Sequence, residues 1–375
     1  MDGISGLIMH SLRVFVVFLF LGCACLTVQA ANMALNLMDS HDYYQVSPRQ
    51  GPLAEQFTTI INSPPSPVRI TQKNAVRIAL FLFGDEGSIE NKALQITLRK
   101  RMRELGIDYR LDVYLGRTHS ETDFSAYLKV AATPPDYIVM TKLGFVQRRF
   151  LERFLRTAKT KVILYDFASP LIHWMNNSPL MYIGFDQQRA TTGLASYLDR
   201  QLPPETTISA LVLPTGYLGH ARCDLFLDEM LKYNRHVSRI RVVADDKKEA
   251  FEAAREFLKE TPTDFIFSCS QNISEGVVAA LEQSVPDSKA QTNAWGLSPN
   301  GIADLVNRNV KVNVLFMKDN LSIAVAEAIK LDLEGKNMPT LYVANSTLMP
   351  AELDSESLRL MVQQAYQYSV ELWQQ

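Results

Sequence analysis

Side chains suited to binding a small polar molecule stand in the loops after short apolar runs, where strands of a parallel sheet would end, or, for Arg222, on the first turn of the helix that such a loop leads to. They combine carboxylates, amides and a hydroxyl with one guanidinium and one indole: Glu86, Ser88, Asp166, Arg222, Gln271, Asn272 and Trp295. A guanidinium can donate a fork of hydrogen bonds to paired oxygens, and an indole can lie against a ring or carbon skeleton. The set therefore predicts a binding site for a small polyhydroxylated ligand.

Four of these residues also have a purely structural interpretation. Ser88 and Asn272 stand where helix N-caps are common. Arg222 fits a solvated helix residue paired with a nearby acid, and such surface pairs contribute little. Trp295 ends an apolar strand, where a large aromatic side chain is often core. The sequence alone leaves both interpretations open.

Motifs for catalysis are scarce. Glu86 and Asp166 form the catalytic alternative, because two carboxylates in a cleft can hydrolyse a glycosidic bond. The chain contains no H-E-x-x-H or C-x-x-C metal pattern, no G-x-S-x-G nucleophile elbow and no Gly-rich phosphate loop. We therefore predict a binding protein rather than an enzyme, with no catalytic residues, metal or cofactor.

The elements that would position these residues alternate between apolar runs and helical patterns. The run Val76–Phe83 is followed by apolar residues at helical spacing over 88–105, and Gly106 ends that helix. The same alternation repeats across the second half of the chain, from residue 207 to a long helix over 323–334. Near-continuous apolar strands are typical of parallel sheets covered on both faces. We predict an α/β fold with two doubly wound parallel-sheet lobes and a ligand cleft between them.

The first thirty residues have the pattern of a secretory leader. Arg13 precedes an apolar run over 14–21, and residues 28–30 (Val-Gln-Ala) offer a small-residue cleavage site. The run is shorter than the ~20 residues that span a bilayer. We expect a cleaved signal peptide over 1–30 and a periplasmic location; acylation of Cys23 is the weaker alternative.

Charge and cysteine content narrow the remaining possibilities. The chain has 38 basic and 40 acidic residues, so no broad positive surface for nucleic acid is expected. Cleavage of the leader would leave Cys223 and Cys269. We predict two buried free thiols rather than a disulfide, although an exported protein permits one. Proline and polar clusters, such as residues 63–67, predict an irregular N-terminal extension over 31–74.

The chain resembles periplasmic binding proteins of the ribose-binding type and, among these, the LuxP family of autoinducer-2 receptors. The resemblance runs from about residue 76 to 366 and is densest in five stretches: 182–186, 216–226, 264–270, 293–296 and 324–334. It implies a two-lobed receptor in which the chain crosses three times between the lobes.

These crossings define the expected domains. The N-terminal lobe would comprise 75–185 and 318–336, and the C-terminal lobe 186–317 and 337–375. The crossings are expected near Asp186, Lys318 and Asn337.

The resemblance carries over to the site only in part. Arg222 and Trp295 match the cleft arginine and tryptophan of the LuxP family, and Ser88 matches its serine. The other site positions differ in residue type: Glu86 replaces a glutamine, Asn91 a tryptophan, Asp166 an asparagine, Gln271 and Asn272 a Thr-Asp pair, and Phe316 a second arginine.

These differences change the expected ligand. The family's second arginine helps to hold an anionic borate form of autoinducer-2, and Phe316 cannot do so. Glu86 and Asp166 add negative charge, and Lys318 is the remaining candidate cation. Because an uncompensated buried charge is costly, we expect a neutral or cationic sugar-like ligand instead.

The resemblance also implies a membrane partner. We expect a receptor for autoinducer-2 or a related sugar-like molecule that reports to a membrane sensor kinase. The alternative is the sugar-binding component of an ABC importer, whose partner is a permease. A secreted carbohydrate-active enzyme is the third interpretation.

Overall fold

The computed structural model describes residues 36–85, 87–116, 124–260, 263–283 and 289–373. The strands of these residues, in chain order, are β1 Val76–Phe83, β2 Tyr109–Gly116, β3 Tyr137–Met140, β4 Lys161–Tyr165, β5 Met181–Phe185, β6 Ile208–Val212, β7 Val237–Val242, β8 Phe265–Ser268, β9 Gln291–Trp295, β10 Val310–Phe316, β11 Leu341–Ala344 and β12 Ser346–Pro350. They form two six-stranded sheets, which confirms the predicted fold of two parallel-sheet α/β lobes.

Helices cover both sheets. In chain order they are α1 Ser40–Val46, α2 Gln50–Ile61, α3 Ile89–Glu104, α4 Ser125–Ala132, α5 Phe145–Thr157, α6 Gln187–Gln201, α7 Leu225–Lys232, α8 Lys247–Glu260, α9 Gln271–Gln283, α10 Gly301–Val306, α11 Lys318–Leu333 and α12 Ser355–Ala365. A π-helical turn, Gly219–Asp224, leads directly into α7.

The first sheet has the spatial order β11-β5-β4-β3-β1-β2 and is parallel throughout. Alternate residues of β1 point to opposite faces, as in any strand. Leu80 packs in the same apolar cluster as residues of α3 and α11, whereas Phe81 packs with residues of α4 and α5. Burial on both faces explains why the strand is almost entirely apolar.

The second sheet has the order β12-β10-β9-β8-β6-β7, in which only β12 runs antiparallel to its neighbour, β10. The chain crosses between the sheets after β5, after β10 and between β11 and β12. The last two crossings touch, because the backbone N–H of Met317 donates to the carbonyl of Asn345 at 3.1 Å.

One expected domain assignment was wrong. Residues 337–375 were expected in the second lobe, but β11 pairs in parallel with β5 of the first sheet. The third crossing therefore falls at Asn345 rather than near Asn337. Gly335 ends α11 in a left-handed conformation (φ 63°), and the chain then covers the open edge of β5, whose hydrogen-bonding groups would otherwise be unpaired.

The prediction of an irregular extension over 31–74 was also wrong for the middle part of that range, which forms α1 and α2. Asp39 caps α1 by accepting from the N–H of Asp42 at 2.8 Å. In α2, Phe57 packs edge-on against Tyr342 of β11, with ring centroids 5.3 Å apart. Apolar burial on one helix face thus prevails over the polar composition of the extension.

The predicted leader lies outside the described residues. Within the ranges given above, no helix is long and apolar enough to cross a membrane.

Candidate ligand-binding cleft

The carboxyl ends of strands from both sheets face each other beside the crossings. The loop after β4 meets the loop after β6, where the hydroxyl of Ser169 donates to Tyr217 Oη at 2.9 Å. The rings of Phe167 and Tyr217 also lie 5.9 Å apart. The two lobes therefore enclose a cleft at the sheet edges where open α/β sheets bind ligands.

The loop after β4 lies unusually close to β5. A Cβ at Gly184 would lie 2.7 Å from the backbone nitrogen of Phe167, so only glycine fits there. Asp166 adopts a left-handed conformation with φ 59°, which Asp tolerates better than most side chains. This backbone path directs the loop across the cleft.

Arg222 lies in the π-helical turn before α7, beside the first and second crossings. Its side chain is buried, and the guanidinium carbon is 4.3 Å from the ring centroid of Trp295 and 5.6 Å from that of Phe316. Its Nε donates to Gln187 Oε1 at 2.9 Å. Arg222 is therefore a fixed, stacked cation rather than a solvated helix residue.

Burial also changes the titration of Arg222. Desolvation lowers its pKa to about 10, while the carboxylates of Asp166 and Asp245 act in the opposite direction. The guanidinium remains protonated at neutral pH. Its Nη atoms make no hydrogen bond to any described residue and are thus available for paired oxygens of a ligand.

The structure is compatible with both interpretations of Trp295, as a core residue and as a ligand contact. The ring is only 1% exposed and its Nε1 donates to the carbonyl of Ser268 at 2.7 Å, as expected of a core residue. The same ring carries Arg222 on one face and lies nearly parallel to Phe316, at 6.4 Å. Ligand contact by Trp295 stays a prediction.

Phe316 and Lys318 lie at the second crossing. Phe316 is buried against Phe185, with ring centroids 4.6 Å apart. Lys318 Nζ is 2.8 Å from Asp166 Oδ2, and it also lies 5.9 Å from the Phe316 ring. The second cation of the cleft is therefore already paired with a carboxylate.

The described residues after β1 mainly make hydrogen bonds within their own loop and helix. Ser88 caps α3 by accepting from the N–H of Asn91 at 3.2 Å, as its structural interpretation predicted. Asn91 is buried, and its amide donates to the carbonyls of Phe83 and Asp85 at 3.2 and 2.8 Å. Glu86 lies outside the described residues. The binding roles predicted for these residues stay predictions.

Gln271 and Asn272 begin α9 on the second-lobe side. Gln271 Nε2 lies 3.3 Å from Glu275 Oε1, within the same helix. Asn272 does not cap α9, because the hydroxyl of Ser270 accepts from the N–H of Ile273. Asn272 instead donates to the carbonyl of Asp245 at 3.2 Å.

Asp245 was missed by the sequence reasoning. It accepts from the Ser270 hydroxyl at 2.6 Å and lies close enough to Arg222 to affect its pKa. A carboxylate three residues after the end of β7 follows the same strand-end pattern as the residues singled out above. That pattern was the signal that could have found it.

The expectation of two free thiols was wrong. Cys223 and Cys269 form a disulfide, with their Cα atoms 5.5 Å apart across a sequence separation of 46 residues. The bond joins the turn that carries Arg222 to the end of β8. Both residues are buried, as predicted, but burial does not distinguish a free thiol from a disulfide-bonded cysteine.

A cavity of about 190 Å³ opens on the first-lobe side of the cleft, beside Asn91, Tyr165, Asp166 and Lys318. A larger cavity of about 580 Å³ lies between the N-terminal segment and the first crossing, where Ser169 and Tyr217 also line it. Neither cavity is lined by Arg222 or Trp295. We assign the smaller cavity to the ligand site because Asp166 in its wall acts electrostatically on Arg222, and Lys318 in its wall lies beside the Phe316 ring. Among the described residues, no His, Cys, Asp and Glu cluster is arranged to hold a metal ion.

Several solved structures share this architecture. A periplasmic ribose ABC transporter protein from Conexibacter woesei DSM 14684 has a TM-score of 0.65 at 12% identity, over 79% of this chain and 97% of its own. A solute-binding protein from Actinobacillus succinogenes 130z with bound D-allose has a TM-score of 0.64 at 16% identity, over 75% and 99%. An arabinose-transporter protein from Shewanella sp. ANA-3 has 0.64 at 17%, over 79% and 98%.

These similarities show a shared two-lobed α/β fold. The family model described as a periplasmic binding protein domain matches residues 135–337, more than half of the chain. The chain belongs to this family of periplasmic binding proteins.

Proposed function

We propose that this protein is the sugar-binding component of a solute importer and works in the periplasm. The observation that carries the proposal is the buried guanidinium of Arg222, stacked on Trp295 inside the interlobe cleft. A planar cation beside an aromatic ring suits a ligand with paired hydroxyls and an apolar ring face. The related structures bound to D-allose and L-arabinofuranose support the same ligand class.

The charges of the cleft favour a neutral ligand. Arg222 and Lys318 are matched by the carboxylates of Asp166 and Asp245 among the described residues. Phe316 supplies only apolar surface where the LuxP family keeps a second arginine. Of the cleft residues that the structure describes, Arg222 would be the one cation left to compensate the charge of an anionic ligand. Binding an anion would therefore cost desolvation free energy.

Signalling through a sensor kinase is the second candidate. The positions of Arg222 and Trp295 favour it, since both match the LuxP family. The pairing of Lys318 with Asp166 counts against it, because the borate form of autoinducer-2 requires positive charge. An import role, with a permease as the membrane partner, is therefore the stronger proposal.

Titration calorimetry with a panel of neutral sugars tests the ligand class. D-Ribose, D-allose, L-arabinose, D-tagatose and myo-inositol cover ligands named for related structures. We expect at least one to bind and to be recovered chemically unchanged, whereas hydrolysis or conversion would support the enzymatic alternative. Failure of all five would contradict a sugar-binding role.

A second titration tests the ligand charge. We expect boric acid not to strengthen the binding of autoinducer-2. A borate-dependent gain of about tenfold, ~1.4 kcal/mol, would instead support the signalling receptor.

A further inference from the structure

The C-terminal segment Tyr366–Trp373 connects the two lobes outside the three crossings. The preceding helix, α12, packs in the second lobe, where Leu358 and Val362 share an apolar cluster with Leu305 and Met349. After α12 the chain turns back towards the first lobe.

Asp319, at the start of α11, anchors this segment. One carboxylate oxygen accepts from the backbone N–H groups of Tyr368 and Ser369, at 2.7 and 2.9 Å. The other accepts from the hydroxyls of Ser369 and Thr97, at 2.8 and 2.9 Å. Asp319 is 1% exposed, so these four bonds are shielded from water. Asp319 also directly follows Lys318, which pairs with Asp166 in the cleft.

Tyr368 adds a second anchor on α3. Its hydroxyl donates to Glu104 and accepts from Arg101 Nη1 at 3.2 Å. Arg101 forms a buried ion pair with Glu327 of α11, at 2.6 Å. The segment is therefore attached to the two helices that cover one face of the first sheet.

These anchors place Trp373 in the wall of the 190 Å³ cavity, which Asn91, Asp166 and Lys318 also line. Its ring lies 4.4 Å from that of Tyr366 and is 5% exposed. Its Nε1 is buried and has no hydrogen-bond partner among the described residues. Buried indole N–H groups normally have a partner, so Trp373 carries an unused donor in a residue of the cavity wall.

We infer that Trp373 is a ligand-contacting residue, a role that rests on the proposed sugar-binding function. The indole covers one face of the sugar, and Nε1 donates to a sugar hydroxyl. The anchored segment holds the ring in place, so the site combines both lobes and the C-terminus.

The test compares Trp373→Phe and Trp373→Ala with the wild type, using the sugar that binds most tightly in the panel above. Phenylalanine keeps an aromatic ring and removes the donor, so we expect a three- to tenfold weaker affinity; alanine should weaken it more than tenfold. Trp174→Phe is the matched control, because Trp174 is also buried but packs against α5 residues away from the cleft. Calorimetry gives the affinities, and thermal melting verifies folding.

An NMR measurement separates ligand contact from a purely structural role. The chain has 3 tryptophans, so the phenylalanine variants assign the indole N–H signals. Sugar should shift the Trp373 signal and leave that of Trp174 in place. If the wild type binds sugar while the Trp373 signal does not move and Trp373→Phe binds within twofold, the inference is wrong and the proposed function stands. If no sugar binds the wild type, the proposed function itself fails.

Discussion

The guanidinium of Arg222 is surrounded by groups that orient it without neutralising it. Gln187 Oε1 accepts a hydrogen bond from Nε, and the rings of Trp295 and Phe316 lie beside the guanidinium. The carboxylates near it act through space rather than by a direct ion pair among the described residues. A cation in this setting retains its hydrogen-bonding capacity for a ligand, because a direct salt bridge would use the same N–H groups.

Replacing Arg222 by alanine should therefore weaken sugar binding by about 2 kcal/mol, or roughly thirtyfold. Arg239→Ala is a matched control, since the Arg239 guanidinium also lies 4.3 Å from an aromatic ring, that of Phe257, but on the outer side of the second lobe. Calorimetry on both variants gives the affinities. An Arg222→Ala protein that binds within threefold of the wild type would make Arg222 a scaffold residue.

At the scale of elements, the disulfide between Cys223 and Cys269 ties the π-helical turn to the end of β8. The chain-entropy model gives about 4 kcal/mol for a loop of this size, and measured values are commonly 2–4 kcal/mol. The same bond limits the movement of the adjacent Arg222.

We expect the Cys223→Ala/Cys269→Ala protein to lose about 2–4 kcal/mol of unfolding free energy and to bind sugar more weakly. Urea denaturation and calorimetry measure the two effects. Reducing agent should destabilise the wild type and leave the double variant unchanged. Equal stability of both proteins under oxidising conditions would contradict this role.

The helix α10 contains a buried acid with an unusual titration. Burial raises the pKa of Asp304 from 3.8 to about 6, and the carboxylates of Glu282 and Glu275 add to the effect. Between these two pKa values the folded chain binds more protons at this group than the unfolded chain. Its contribution to stability therefore falls as the pH rises from about 4 to about 6.

Asp304→Asn removes this titration while keeping the shape of the side chain. We expect the variant to gain stability relative to the wild type as the pH rises from 4 to 7, by on the order of 2 kcal/mol. Denaturation at both pH values measures the difference. A difference that is independent of pH would show that Asp304 ionises normally.

At the scale of the whole molecule, three crossings join the lobes, at Asp186, at Met317–Lys318 and at Asn345. Short connections of this kind permit rotation of one lobe against the other. Ligand that contacts both lobes should shift the population towards the closed form.

Small-angle scattering should consequently show a smaller radius of gyration with saturating sugar. Arg222→Ala at the same sugar concentration is the control, because its weaker binding should leave the radius nearer to that of the free protein. An unchanged radius, with binding verified by calorimetry, would contradict closure.

The sequence by itself determined the two α/β lobes, the strand ends at which Asp166 and Trp295 stand, and the position of Arg222 where the helix after β6 begins. These features depend on local patterns, since apolar runs and helical spacing are read within a single element. The helices of the extension were missed because their apolar faces are short and become favourable only against β11.

Only the tertiary structure decided which distant residues meet. It brought Cys223 to Cys269, paired β11 with β5 and placed Asp245 and Trp373 near the cleft. None of these contacts follows from periodicity, because each joins segments far apart in the chain. They form where packing and hydrogen bonding of the whole fold offset the entropy of bringing those segments together.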